Sequence, residues 1–287
     1  MATSKGTLYL VGTPIGNLED ITLRAIRTLK EVDYIACEDT RVTKKLLAKY
    51  EIKNELISYH KFNEKSRVSR LIELLKRGSD VAIVTNAGTP CISDPGSVLV
   101  KEAYKQQLSV IDIPGPCSIV SAYNLSGFDL SGFLFLGFFP RKKGDAENRL
   151  EHYKDMEVPI GFFESPKRLS KSLEIILDIW GNRNCTIARE ITKSFEEVMH
   201  GQITEILEKI FRKELKGEIV IIVDGKKKEK KLFTKEVESD AVMLIKQGKT
   251  QKSIVEIIAK RYDIPKKDVY NHILKIKQNW ELASEAH

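Results

Sequence analysis

Apolar positions in the first 125 residues follow two alternating spacings. Short, largely apolar runs at Thr7–Leu10, Val32–Cys37, Leu56–Tyr59, Val81–Val84 and Val110–Ile113 read as strands. Between them, Ile21, Leu23, Ala25, Ile26 and Leu29 recur at helical spacing. A second helix is expected from Thr40 to Tyr50, a third around Leu71, Leu74 and Leu75 that stops at Gly78, and a fourth ending near Gln106. Val81–Val84, nearly all β-branched, is the kind of strand buried on both faces of a parallel sheet. Strands alternating with helices imply right-handed crossovers, and these place every strand-to-helix turn on one edge of the sheet. Three such turns carry small residues and proline: VGTPIGNLED at 11–20, TNAGTPCISDPG at 85–96 and PGPCS at 114–118. A loop as long as 85–96 inside a domain generally serves function. Asp20 sits where the first helix needs an N-cap.

SGFDLSG at 126–132 reads as a linker, after which the strand-and-helix grammar resumes. Strands are expected at Phe133–Phe138, Ile160–Phe163, Thr186–Ala188, Glu196–Met199 and Ile219–Val223. Helices are expected from about Asp145, from Pro166 to Trp180 and from Ile203 to Phe211, over a mixed sheet because some connections are short. GKKKEKK at 225–231 is a solvated linker, and helices follow at Lys235–Lys246, Thr250–Tyr262 and Pro265–Lys277. The apolar stripes Ile254/Ile257/Ile258 and Val269/Ile273/Ile276, joined by a short turn, suit either a helix-turn-helix or a packed helical hairpin. The expected fold class is α/β, with two α/β domains and a small C-terminal helical region. Their boundaries are 1–125, linker 126–132, 133–225 and 226–287.

Charge sharpens this division. Residues 226–287 hold 15 basic against 9 acidic residues, while residues 1–225 hold 32 against 31. A basic tail suits either a polyanion such as nucleic acid or simple solubility. No apolar run reaches bilayer length and MATSKGT lacks a signal-peptide core, so a cytoplasmic protein without membrane contact is expected. Cys37, Cys91, Cys117 and Cys185 are far apart, and the five histidines are equally scattered, so no metal site is expected.

The turns exclude the common nucleotide motifs. Gly12 and Gly16 lack the third glycine of a dinucleotide fingerprint, and Gly248-Lys249-Thr250 has Met243 where a P-loop needs its first glycine. No Gly-x-Ser-x-Gly elbow is present. What remains is an edge of exposed backbone amides and carbonyls, suited to a flat polar ligand such as an adenosine-containing cofactor.

Seven ordered motifs carry a resemblance: TPIGNLED at 13–20, EDTR at 38–41, NAGTPCISDPG at 86–96, PGP at 114–116, FFESPKR at 162–168, ARE at 188–190 and GEIVIIV at 217–223. With them the chain resembles the tetrapyrrole methylase superfamily and, within it, the small-subunit ribosomal RNA methyltransferase I family, which methylates a ribose 2′-hydroxyl in the decoding region. The resemblance implies two α/β domains of the tetrapyrrole methylase type with S-adenosylmethionine in the cleft between them, a cytidine of 16S rRNA in the small ribosomal subunit as substrate, and a homodimer. It places the cofactor against Pro14, Asn86, Gly88, Thr89, Ile92, Ser93, Asp94, Ser118, Phe163 and Ala188. Asn86 stands where the family commonly has aspartate, Gly12 where proline or alanine is common and Lys167 where histidine is common. Asn86 therefore keeps an acceptor without the charge of a base.

A ribose hydroxyl attacks poorly while protonated, so a carboxylate or histidine in reach is expected to help. Glu19, Asp20, Glu38 and Asp39 lie on the expected edge with His60 behind, and Glu38, Asp39 and His60 are the catalytic candidates. The same carboxylates also suit helix capping, and His60 suits loop ordering. Arg41, Lys167 and Arg168 are candidates for RNA phosphates, with Lys266 and Lys267 in the tail. Glu164 and Glu190, at strand ends, are expected to face the cleft. A tetrapyrrole (precorrin-like) methylase and a non-catalytic RNA-binding protein are the alternatives, and the basic tail and the TPIGNLED and EDTR wording separate the chain from the first.

Overall fold

The computed structural model describes residues 5–129, 132–211, 213–227 and 233–284. Parts of both expected linkers, 130–131 and 228–231, lie outside the described residues. The chain divides into two compact units, 1–226 and 227–287, and the first holds both sheets.

The first sheet follows the sequence grammar closely. Strand β1 (Thr7–Val11) leads to helix α1 (Leu23–Glu31), β2 (Tyr34–Cys37), α2 (Thr40–Lys49), β3 (Glu55–Ser58), α3 (Glu64–Lys76), β4 (Val81–Val84), α4 (Ser97–Lys105), β5 (Ser109–Ile113) and α5 (Ser118–Ser126). The strand order is β3-β2-β4-β1-β5, parallel throughout. All four residues of β4 are buried, because Leu71, Leu75 and Leu99 cover one face while Ala25, Leu29 and Leu47 cover the other. Since β4, β1 and β5 are neighbours, the three glycine- and proline-bearing turns stand side by side at the carboxyl edge.

One expected cap is corrected. Residues Leu18–Asp20 tighten into a 3-10 turn capped by the Asn17 carboxamide, which moves the start of α1 beyond Asp20. Thr22 is the N-cap instead, its hydroxyl accepting from the Ala25 amide at 3.1 Å. Leu23 stands exposed, so the buried stripe of α1 is Ala25, Thr28 and Leu29.

The second sheet comprises β6 (Leu134–Phe138), β7 (Ile160–Glu164), β8 (Asn184–Arg189), β9 (Glu197–Gln202) and β10 (Ile219–Val223), in the order β6-β7-β10-β8-β9. Only β6 and β7 pair in parallel, so the sheet is mixed. Helices α6 (Lys143–Tyr153), α7 (Leu169–Trp180) and α8 (Ile203–Ile210) cover one face. The segment expected as one helix from Pro166 begins as a 3-10 turn, Pro166–Arg168. Strand β9 runs further than Met199 because β8 supplies partners along its whole length.

Helix α5, the last of the first half, covers the other face. Ile119, Ala122 and Tyr123 pack on Ala188, Val220 and Ile222, and the Tyr123 hydroxyl donates to the Leu134 carbonyl at 2.7 Å. Gly161 makes this approach possible, since a Cβ there would lie 2.7 Å from Ile119 Cδ1. Helix α5 therefore links the two sheets, and that helps set the geometry of the space between them.

The second unit is a three-helix body: α9 (Lys235–Lys246), α10 (Gln251–Tyr262) and α11 (Lys266–Ser284). Val237, Leu244, Ile254, Ile258, Val269 and Ile273 form its own core. Thr234 and Thr250 cap α9 and α10, and Asp263 closes α10 in the left-handed region at φ 50°. Helix α11 continues past the expected end at Lys277, as no glycine or proline interrupts it.

Candidate active site

The carboxyl edge of the first sheet is built backbone against backbone. A Cβ on Gly12 would lie 2.8 Å from Gly115 Cα, so the turns after β1 and β5 meet through two glycines. Thr13 and Gly88 exchange amide-to-carbonyl bonds of 2.9 and 3.0 Å, joining the turn after β1 to the long loop after β4. Thr89 Oγ1 donates to the Pro116 carbonyl at 3.2 Å and ties the same loop to the third turn. These links bring Pro14, Gly88, Thr89 and Ser118, distant in sequence, to one place. Asn86 is exposed at the start of the loop.

The loop is held in conformations that L-residues rarely adopt. Cys91 (φ 70°) and Ser93 (φ 65°) lie in the left-handed region, as do Glu190 (φ 50°) and Thr192 (φ 67°) on the second half. Such strain persists where surrounding contacts over-determine it, and it gathers at functional sites. The two strained segments belong to one cleft. Gly16 approaches Thr192 and Lys193 so closely that a Cβ would lie 2.7 Å from Thr192 Oγ1, and Ser93 faces the bulge of β6 at Gly137. Phe163 lies between Phe135 and Phe138 at ring separations of 4.8 and 5.4 Å, and Ala188 is buried behind it on the face that α5 covers. Phe138 is 65% exposed.

The carboxylates of the edge differ in what surrounds them. Asp94 is half-buried, and burial together with the charge of Glu38 raises its pKa to about 6. Asp39 is the N-cap of α2, its carboxylate accepting from the Arg41 amide at 2.8 Å and from the Arg41 guanidinium at 3.1 and 2.7 Å. Those bonds from Arg41 hold it at about 2, which makes it a weak proton acceptor. His60 is partly buried, its Nδ1 has no partner among the described residues, and its ring meets Phe62 edge-on at 6.1 Å. Sequence reasoning grouped Asp94 with the cofactor residues and missed its relation to Glu38. That relation depends on β2 and β4 being neighbours, which chain order alone does not reveal.

The cationic candidates separate in the same way. The Arg41 side chain is 87% exposed despite its pair with Asp39. Lys167 is exposed, whereas Arg168 turns inward to the Pro140 carbonyl at 2.6 Å and to Glu164 at 3.3 Å. Glu164 is buried, accepting from the Ser172 hydroxyl at 2.6 Å and the Ser165 amide at 2.7 Å. Glu190 accepts from Lys193 Nζ at 2.9 Å and the Glu218 amide at 2.8 Å. Lys266 and Lys267 are exposed at the start of α11 in the three-helix unit. Among the described residues no group of His, Cys, Asp or Glu converges as a metal site requires.

The chemistry of the edge is compatible with an adenosine-bearing ligand. Its lining is backbone and small side chains, with Gly88 at φ 81°, a conformation that favours glycine, and no cation stands among the candidate contacts to demand a phosphate.

Comparison with known proteins agrees with this architecture. The model of the Tetrapyrrole (Corrin/Porphyrin) Methylases matches residues 7–207. The chain is 43% identical over 272 residues to the Ribosomal RNA small subunit methyltransferase I of Halalkalibacterium halodurans, covering 93% of this chain and 94% of the relative. It is 48% identical over 221 residues to the protein of the same name from Thermotoga maritima, covering 77% of this chain and 99% of the relative. Among solved structures, cobalt precorrin-4 methyltransferase superposes with a TM-score of 0.56 at 16% identity, covering 76% of this chain and 94% of that one. Diphthine synthase superposes with a TM-score of 0.57 at 14% identity, covering 76% of this chain and 90% of that one. At such identities the structures establish the fold alone. The chain belongs to the tetrapyrrole methylases and, within them, to the ribosomal RNA small subunit methyltransferase I family.

Proposed function

We propose that this protein methylates a ribose 2′-hydroxyl, that of a cytidine in the decoding region of small-subunit rRNA, with S-adenosylmethionine as methyl donor. The observation that carries the reading is the 43% identity, across 94% of its length, to a relative named for small-subunit rRNA methylation. Structures named for precorrin and uroporphyrin substrates share only 16 to 20% identity, so the tetrapyrrole alternative has the fold in its favour and nothing more.

Pro14, Gly88 to Ser93 and Ser118 would hold the donor from the first half, with Phe163 opposite and Ala188, buried beneath α5, backing that wall. When bound, S-adenosylmethionine supplies an electrophilic methyl group. The chain's own part is alignment and proton transfer. Asp94, raised to about 6 by burial and by Glu38, is mostly ionised at neutral pH yet more basic than an ordinary carboxylate. It accepts the ribose hydroxyl proton as the oxygen attacks, while Glu38 maintains its basicity. Asp39, tied to Arg41, anchors α2, and His60 supports the neighbouring turn. Arg41 and Lys167 meet phosphates, with Lys266 and Lys267 adding a second, basic contact. Two copies are expected to associate, which light scattering would show.

The test is incubation of the protein with methyl-labelled S-adenosylmethionine and unmethylated small subunits, followed by mapping of 2′-O-methylation on the rRNA. One labelled cytidine in the decoding region is expected. Donor binding without transfer to subunits would overturn the reading.

A further inference from the structure

We propose that Phe62 is a stacking platform for an unpaired base of the RNA, beside the nucleotide that is methylated; this rests on the rRNA reading above. Phe62 is 94% exposed. Single exposed apolar side chains are common, so exposure alone means little. Its position and its mounting carry the inference.

The position follows from strand register. Cys37 pairs with Ser58 across β2 and β3, so the chain leaving β3 runs beside Glu38 as that leaves β2. Along the carboxyl edge the order is then the Phe62 turn, Glu38, the long loop with Asp94, and the two turns of the proposed donor site. A nucleotide whose ribose meets Asp94 and Glu38 has the donor on one side and the Phe62 turn on the other. Bringing a ribose to this edge draws its nucleotide out of the helical stack and leaves bases without their neighbours. An aromatic face replaces such a neighbour whatever the base.

The mounting is rigid. The Asn63 carboxamide accepts from the His60 amide at 2.8 Å and donates to the Ser58 carbonyl at 3.2 Å, while the amides of Asn63 and Glu64 both donate to the His60 carbonyl at 2.9 Å. Glu64 Oε1 accepts from the Tyr59 hydroxyl at 2.7 Å and from the Gly96 amide at 3.1 Å, tying the turn to the end of the catalytic loop. The His60 ring backs Phe62 edge-on at 6.1 Å. With the turn already fixed, no backbone ordering is needed when a base settles on the ring. The charge around it is complementary: Lys61 precedes Phe62 in the chain and Lys65 follows it at the start of α3, both exposed and neither in an ion pair among the described residues. Aromatic surface between unpaired cations is the composition of a single-strand RNA contact.

The experiment compares wild type, Phe62→Ala and Phe62→Trp on small ribosomal subunits, with thermal unfolding and donor affinity as controls. Base stacking of ordinary strength makes the KM of Phe62→Ala for subunits rise about 5- to 100-fold. Turnover at saturation and donor affinity are expected to hold, and Phe62→Trp to restore KM. In parallel, the Phe62→Trp protein is titrated with a short single-stranded oligoribonucleotide, and quenching beyond that of wild type is expected as a base covers the indole. An unchanged KM in Phe62→Ala, or no added quenching, overturns the platform. Should wild type transfer no methyl to subunits, the rRNA reading fails separately; quenching then still sustains the platform, and its absence still removes it.

Discussion

The two sheets of the first unit spend their polar groups in opposite ways. At the carboxyl edge of β7 and β8 the charges satisfy one another: Glu164 with Arg168 and Ser172, Glu190 with Lys193, and Glu197 with Arg189 and Lys213. At the carboxyl edge of the first sheet, Asp94 has a like charge for a neighbour, and His60 Nδ1 has no partner among the described residues. A paired charge is a structural element, while an unpaired or like-paired one stores reactivity at a cost in stability. This contrast supports the proposal that the first edge carries the chemistry and that the second forms the facing wall.

The sharpest way to break this contrast is Asp94→Asn, which keeps the shape and removes the proton acceptor. Loss of a general base lowers turnover by about 10²- to 10⁴-fold, and donor affinity, measured by calorimetry, is expected to hold. In wild type the rate should rise with pH through about 6 and then level; in Asp94→Asn that rise disappears. Stability moves the opposite way. A carboxyl whose folded pKa is raised holds its proton more tightly in the folded state, so its contribution to stability falls as pH climbs from about 4 to about 6. The asparagine variant escapes that loss and unfolds at a higher temperature than wild type at pH 7, so reduced turnover there cannot come from misfolding.

Glu164→Ala asks the converse question of the second sheet. The carboxylate is buried with three partners, and removing it leaves Ser172 without its acceptor and Arg168 without its counter-charge. Breaking such a network costs about 3 kcal/mol, visible as a lower denaturation midpoint, with turnover per folded molecule unchanged. A large catalytic loss at intact stability would show that the second edge also takes part in the reaction.

How far this contrast could be read in advance depends on which contacts are local. The apolar run Val81–Val84 and the helical stripes around it dictate a parallel sheet, and a parallel sheet gathers its turns at one edge, so the positions of Pro14, Gly88 and Ser118 were legible from pattern alone. Capping was less so. Asp20 has the right chemistry, but whether Leu18–Asp20 tightens into a 3-10 turn depends on packing, and Thr22 took the role. The separate characters of Asp39 and Asp94 were not legible either. Asp39 is defined by the direction of the Arg41 side chain, and Asp94 by a neighbour more than fifty residues away in the chain. Glu164 reads as a cleft residue because it ends a strand and Arg168 as a phosphate ligand because of its guanidinium, and only the inward turn at Pro166–Arg168 shows that they pair with each other at the start of α7.

The smallest effect concerns Arg41, where the two ways of spending charge meet. Its guanidinium is paired bidentately with Asp39, as in the second sheet, yet the side chain remains exposed at the reactive edge. An exposed pair exchanges partners at little cost, so a phosphate can replace Asp39. Arg41→Ala should then leave the unfolding temperature and the turnover at saturation unchanged. The dependence of log KM for small subunits on log salt concentration should become shallower by about one, the loss of a single phosphate contact. An unchanged salt slope would return Arg41 to the class of Arg168, a cation that serves the fold. A fall in turnover with the slope intact would mean instead that Asp39, freed of the guanidinium, lets α2 shift Glu38 away from Asp94.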